Sequence, residues 1–130
     1  MSKFIRVKTQ LTDLDALAAA LNDLGLPCER NAVAYGWGSA RQQADLVVRK
    51  AHLPPGCLGD LAFVRDPRTQ TLQLVMDELD RQREDVQALL SRLPQRHAYH
   101  RVIKTARAQG LAVQQVCEEG GVLQVVLRGA

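Results

Sequence analysis

Arg96-His97-Ala98-Tyr99-His100-Arg101-Val102-Ile103-Lys104-Thr105-Ala106-Arg107-Ala108-Gln109-Gly110-Leu111 reads as one basic helix and its stop. Tyr99, Val102, Ile103 and Ala106 recur at helical spacing and predict a single apolar stripe, with His97, Arg101, Lys104 and Ala108 on the opposite side. Gly110 can take the positive φ of a helix end. An amphipathic helix is stable in a small protein only when its stripe is covered. The flanking segments are therefore read for a sheet that would cover it.

They supply one. After the helix, Leu111 to Cys117 and Val122 to Leu127 predict a hairpin through Glu118-Glu119-Gly120-Gly121. Before it, Glu84 to Leu93 predicts a short helix with Val86, Leu89, Leu90 and Leu93 inward, closed by Pro94. Further upstream, Leu61-Ala62-Phe63-Val64 and Thr71 to Met76 flank Asp66-Pro67-Arg68, a type I turn signal. The chain opens with a strand over Phe4 to Thr9 and an N-cap at Thr12. A helix follows with Leu14, Leu17, Ala18, Leu21 and Leu24 on one stripe, stopped by Gly25. Cys28 to Ala34 and Ala44 to Arg49 are strands around Tyr35-Gly36-Trp37-Gly38-Ser39, whose two glycines suit a tight loop.

The pattern is met twice. Shifting the first half by 85 positions places Leu14, Leu17, Ala18, Leu21, Gly25 and Leu26 on Tyr99, Val102, Ile103, Ala106, Gly110 and Leu111. The expected fold is α+β: one antiparallel sheet with helices packed on one face, built from two βαββ pseudo-repeats at about residues 2–50 and 70–129. At 130 residues the chain is read as a single domain over 1–130, able to bury a core without metal or disulfide staples.

Composition narrows the function classes. No apolar run nears the roughly 18 residues needed to cross a bilayer, and the start lacks the apolar core of a signal peptide, so a cytoplasmic protein is expected. Cys28, Cys57 and Cys117 form no CxxC pair, which favours reduced thiols. The net charge of +3 is too small to diagnose nucleic-acid binding, but residues 92–107 hold five Lys or Arg and no acid.

The order of segments resembles the plastid hypothetical reading frame 35 family, also described as domain of unknown function 1257. The stretches that carry the resemblance are Leu11-Thr12-Asp13-Leu14-Asp15-Ala16-Leu17, Leu24-Gly25, the Gly-aromatic loop before Ala44-Asp45-Leu46-Val47-Val48-Arg49, and Gly59-Asp60-Leu61-Ala62-Phe63-Val64. Leu74-Val75-Met76-Asp77 and Gln95-Arg96-His97-Ala98-Tyr99-His100 complete them. The chain departs from the family at His97, which stands at a tyrosine position, and after Asp77, where a tryptophan is usual. The resemblance implies a fold and no reaction. It also implies an accessory role, with an AAA-type ATPase as partner.

Candidate sites follow from residue type. Arg96, His100, Arg101 and Lys104 form a basic surface that could meet phosphates or an acidic partner, although there is no aromatic platform for stacking bases. A solvated helix face explains the same charges. Tyr35 and Trp37 form either a recognition tip or a lid over the sheet edge. His97 and His100 are three apart, but two imidazoles do not make a metal site, and no metal or cofactor is assigned. Asp77, Glu78 and Asp80 cluster before a helix whose dipole they would favour. Cys57 lies in a Pro-Gly loop as an accessible thiol. No nucleophile elbow, HExxH, phosphate loop or dinucleotide fingerprint is present, so no catalytic residue is named.

The sequence therefore reads as a small binding or accessory protein, more non-enzymatic than enzymatic, acting through Tyr35, Trp37 and the basic helix on a protein partner. RNA or phosphate-ligand binding through residues 95–109 is the alternative, and a small metal-dependent enzyme around His97, His100 and Asp77 is a third reading. If Val47, Val75, Leu123 and Val125 shared an open sheet face, it would favour a homodimer or a partner protein.

Overall fold

The computed structural model describes residues 3–129. Five strands, β1 (Phe4–Lys8), β2 (Cys28–Tyr35), β3 (Arg41–Val48), β4 (Leu61–Arg65) and β5 (Leu72–Asp77), form one antiparallel sheet in the order β1-β5-β4-β3-β2. Helix α1 (Leu14–Asp23) covers one face, and α4 (Leu93–Ala108) packs on α1. Two short helices, α2 (Glu78–Gln82) and α3 (Glu84–Leu90), lead into α4. The α+β class and the helices on one side of an antiparallel sheet are as the patterning predicts.

Local chemistry sets the boundaries. Asp13, and not Thr12, caps α1 by accepting the Ala16 N–H at 3.0 Å. Leu17, Ala20 and Leu21 face the sheet, and Gly25 at φ +76° turns the chain so that Leu26 N–H reaches the Leu21 carbonyl at 2.9 Å. Pro94 stands in the first turn of α4 instead of closing the preceding helix, because its missing N–H would be unsatisfied there in any case. Leu46, Val48, Leu61, Phe63, Leu72 and Met76 fill the layer between sheet and helices, and each is fully buried.

The second face of the sheet has no helix, yet Val47, Ala62 and Val75 on it are buried. The β2–β3 hairpin accounts for this. Asn31, at φ 50°, drops out of the β2–β3 pairing without changing its register, and only Leu46, Val47 and Val48 of β3 pair with β4. Beyond that point the hairpin leans back across the sheet, so that Gly36 at its tip meets Phe4 of β1 from the opposite edge. The Arg6 guanidinium, donating to Gln73 and Gln42 at 3.1 and 2.8 Å, spans from β1 to β3 over the same face. Its aliphatic stem shields the apolar surface while the head stays hydrated.

Two expectations are corrected. The closing hairpin, β6 (Leu111–Glu119) with β7 (Val122–Gly129), does not join the main sheet but forms a separate two-stranded one. It lies against α4, and the Gln95 side-chain amide donates to the Gly121 carbonyl. Of the expected second half, only β5 joins the main sheet, between β1 and β4, while the closing hairpin stands apart from it. Consequently Leu123 and Val125 do not lie with Val47 and Val75 on one face, and the homodimer argued from that face loses its basis.

The apolar side of α4 is also turned from the expected stripe. Leu93, His97, Ile103 and Ala106 are buried, Tyr99 is half-buried, and Val102 is exposed. The helix is contacted on two sides, by α1 and by the hairpin, so a single apolar stripe underdescribes it.

Candidate functional site: a braced aromatic tip

The β2–β3 tip begins with Tyr35 and carries Trp37 one residue beyond Gly36. Their side chains stand in solvent, at 50% and 53% exposure, so Trp37 is not a lid on the core. The backbone beneath them is fixed from four directions. Tyr35 N–H donates to Asp60 Oδ2 at 2.9 Å, and Asp60 N–H donates back to the Tyr35 carbonyl at 2.8 Å. Gly36 N–H reaches the Ala40 carbonyl at 2.9 Å, and Ala40 N–H reaches the Trp37 carbonyl at 3.2 Å.

Glycine is needed here for two different reasons. Gly38 takes φ +64°, as the turn requires. Gly36 and Gly59 instead permit close approach. A Cβ on Gly59 would lie 2.8 Å from the Gly36 Cα and 3.0 Å from the Tyr35 carbonyl, and one on Gly36 would lie 2.8 Å from Phe4 Cζ.

Asp60 is the hub. At 4% exposure it accepts the Tyr35 amide, the Arg49 Nη1 at 2.9 Å and the Lys50 amide at 2.8 Å. Arg49 also donates Nε to Glu29 at 2.6 Å and Nη1 to the Val33 carbonyl at 2.7 Å. The Glu29 hydrogen bond is the main reason its guanidinium is held above the usual arginine range, against a smaller opposing effect of burial. The Arg41 and Arg49 guanidiniums lie 5.1 and 5.6 Å from the Tyr35 ring centroid, within cation–π range. Tyr35 thus sits on a rim of arginine, over a shallow hollow of about 420 Å³ formed with Gly36, Arg49, Lys50, Leu58 and Asp60, and Trp37 stands two residues further along the tip.

The basic helix is placed differently. Arg96 Nη2 and His100 Nε2 both reach Asp23 Oδ2, at 2.8 and 2.6 Å, and Lys104 Nζ reaches Asp13 Oδ2 at 3.0 Å. Partial burial raises the Asp23 carboxyl, but the hydrogen bonds from His100 and Arg96 outweigh it and leave the group below the ordinary carboxylate range. Among the described residues Arg101 makes no ion pair. It rims a cleft of about 520 Å³ with Arg30, Arg65 and Lys104, a cleft that also holds Asp13 and Asp15. Three of the four helix residues thus pin α4 to α1.

His97 points inward, contrary to the expected outer position. At 4% exposure its Nε2 accepts the Asp13 N–H at 3.2 Å, tying α4 to the cap of α1. Burial is the first reason its pKa falls below the usual imidazole value, with the Arg101 charge acting in the same direction. A proton on Nε2 would displace the Asp13 donor, so the folded protein takes up that proton less readily than the unfolded chain. Stability from this group is complete above about pH 6.5 and falls as the pH drops below it. Urea unfolding between pH 7.5 and 5.5 should show wild type losing more stability than His97→Gln, whose amide oxygen can accept without titrating. Parallel pH profiles would refute this role for the imidazole.

The other candidates take structural roles. Asp77 caps α2 by accepting Leu79 N–H at 2.8 Å, and buried Asp80 accepts the Leu58 and Gly59 amides at 2.9 and 3.2 Å. Cys57 is half-buried, and burial leads the causes that raise its thiol pKa, which disfavours the thiolate. Among the described residues no three His, Cys, Asp or Glu side chains converge to hold a metal ion. No helix among them is long and apolar enough to cross a membrane.

Asp60 and Arg49 carry the tip, and local patterning alone does not single them out as site residues. The available signal was an acid between Gly59 and the apolar run Leu61-Ala62-Phe63, where a strand start has no need of one.

A family model described as a protein of unknown function, DUF1257, matches residues 20–126. The chain belongs to the DUF1257 family. It is 30% identical over 131 residues to an uncharacterized protein ycf35 of Guillardia theta, covering 98% of this chain and 97% of that protein. It is 27% identical to an uncharacterized protein ycf35 of Pyropia yezoensis over the same shares of both chains. No solved structure matches. In this DUF1257 chain the matched region contains the whole β2–β3 tip, its Asp60 brace and α4.

Proposed function

We propose that the protein is a non-enzymatic binding or accessory protein of the cytoplasm that acts through protein–protein contact, with Trp37 and Tyr35 as its anchor. The observation that carries this reading is an open tryptophan on a backbone held by a buried carboxylate and two close-packed glycines. Large aromatics on rigid supports, with arginine beside them, are the residues that dominate interface energetics. A loop stiffened before it meets its partner also loses less entropy on binding. The partner class that the family resemblance brings forward is an AAA-type ATPase.

The test is affinity capture from the native host with wild type and Trp37→Ala. An anchor tryptophan contributes about 2 kcal/mol or more, so the partner should be retained roughly thirty-fold less by the variant. Because the ring is exposed, the variant should unfold within about 0.5 kcal/mol of wild type. Recovery of the same proteins in the same yield by both would remove the reading, and purified ATPase partners can then be assayed for a changed hydrolysis rate.

RNA or phosphate binding remains the rival through the cleft at Arg101, where four cationic side chains meet. Asp13 and Asp15 in the same cleft, and the ion pairs of Arg96, His100 and Lys104, weaken it. Retention on a polyanion column, lost in Arg101→Glu with Lys104→Glu, would favour the rival over the aromatic anchor.

A further inference from the structure

We infer that the groove between β1 and the short helices holds a small amphiphile, an alkyl chain ending in a carboxylate that Arg81 receives. The cavity measures about 620 Å³, and sites for small molecules run from roughly 300 to 1,000 Å³. Its floor is apolar and its rim polar. Val7 of β1, Leu11, Leu74 of β5, Leu90 of α3 and Leu93 of α4 line it, and all five belong to the main core or pack against it. The polar lining residues Lys8, Gln10, Gln87 and Ser91 are exposed instead. The sheet ends at β1, so the groove is where the layer between sheet and helices opens to solvent.

The walls select the body of the ligand. They are leucine and valine with no aromatic ring among them, so they suit a flexible alkyl chain and offer nothing for a ring to stack on.

Charge selects the head. The lining holds two cations, Lys8 and Arg81, and no acid. Thr9, Gln87 and Ser91 already donate to the Leu72, Arg81 and Ala88 carbonyls. Arg81 differs. Among the described residues its guanidinium makes no ion pair, and its Nε is shut off from water without an acceptor. Asp77, four residues earlier, is fully buried and caps α2 without pairing with it. A donor withdrawn from water with no acceptor in exchange is destabilising. A carboxylate in the groove supplies that acceptor through two parallel N–H···O bonds, and the apolar floor beside them strengthens both. One partly buried arginine matches one anionic head.

Calorimetric titration of the full chain with decanoate tests this. Wild type should bind one decanoate per chain. Arg81→Gln removes the charge without breaking an ion pair, and should weaken binding about tenfold or more. Decyltrimethylammonium, the same chain with the opposite charge, should bind wild type weaker by a similar factor. Leu90→Trp, which fills the groove, should abolish binding, and circular dichroism checks that both variants are folded. In methyl NMR the resonances of Val7, Leu11, Leu74, Leu90 and Leu93 should move on titration. Absence of saturable decanoate binding below about 1 mM overturns the proposal, and so does an affinity unchanged in Arg81→Gln. Shifts confined to Val113, Val116, Val122 and Val126, the exposed valines of the hairpin, overturn it too. So does binding to phosphatidylglycerol vesicles without binding to decanoate, which would assign a lipid surface. Trp37→Ala should bind decanoate as wild type does, which separates this result from the outcome for the aromatic anchor.

Discussion

Asp60→Ala should destabilise the protein by about 1–3 kcal/mol, the loss expected when a buried acceptor is withdrawn from its donors while Arg49 stays partly in solvent. The arithmetic of contacts explains the size. The carboxylate satisfies Arg49, the Tyr35 amide and the Lys50 amide at once, so its removal strips three donors of their acceptor. Arg49 keeps Glu29, but that carboxylate is exposed, and the pair it forms is screened by salt. Asp60→Asn should lose less, because the amide oxygen can still accept one of the three. Chemical unfolding with Trp37 fluorescence as the probe measures both. A loss under 1 kcal/mol in Asp60→Ala would show that the tip is held by packing alone.

Gly59→Ala, one residue earlier, should be nearly as damaging for an unrelated reason. Its Cβ would meet backbone at 2.8 and 3.0 Å, where no side chain can rotate away, so the strand carrying Tyr35 and Gly36 must retreat. Overpacking of this kind typically costs about 1–3 kcal/mol, and retreat would also lengthen the paired Asp60–Tyr35 hydrogen bonds. Thermal unfolding should fall by several degrees, with no change in its salt dependence. At Asp60 the loss is electrostatic and should vary with ionic strength. Gly36→Ala should be milder, because the ring of Phe4 can turn aside.

Much of this was legible from residues near one another in the chain. The helices over 14–23 and 93–108, the turn at Asp66-Pro67 and the hairpin tip at Gly36–Gly38 all rest on local patterns: apolar spacing, a cap, a proline, a glycine. What escaped was set by distant partners. His97 looks like an outer polar residue until the Asp13 amide, 84 positions away, is brought to its ring. Leu123 and Val125 alternate like any half-buried strand, and alternation cannot say which sheet the strand joins. The glycines around Trp37 mark it as a candidate tip, but the rigidity beneath it depends on Asp60 and Gly59, which meet the tip at the Tyr35–Gly36 backbone. The basic character of α4 was read correctly as charge, while its neutralisation by Asp13 and Asp23 required knowing which helix lies alongside.

The place of β1 in the sheet bears on how the protein is made. Its partner β5 emerges from the ribosome about 70 residues later, roughly 4–14 s at about 5–20 residues per second. For that interval Phe4-Ile5-Arg6-Val7-Lys8 is a nascent apolar segment without its mate. Its cations Arg6 and Lys8 keep neighbouring nascent chains from zipping together through it, so the same side chains that decorate the mature edge act first as guardians during translation.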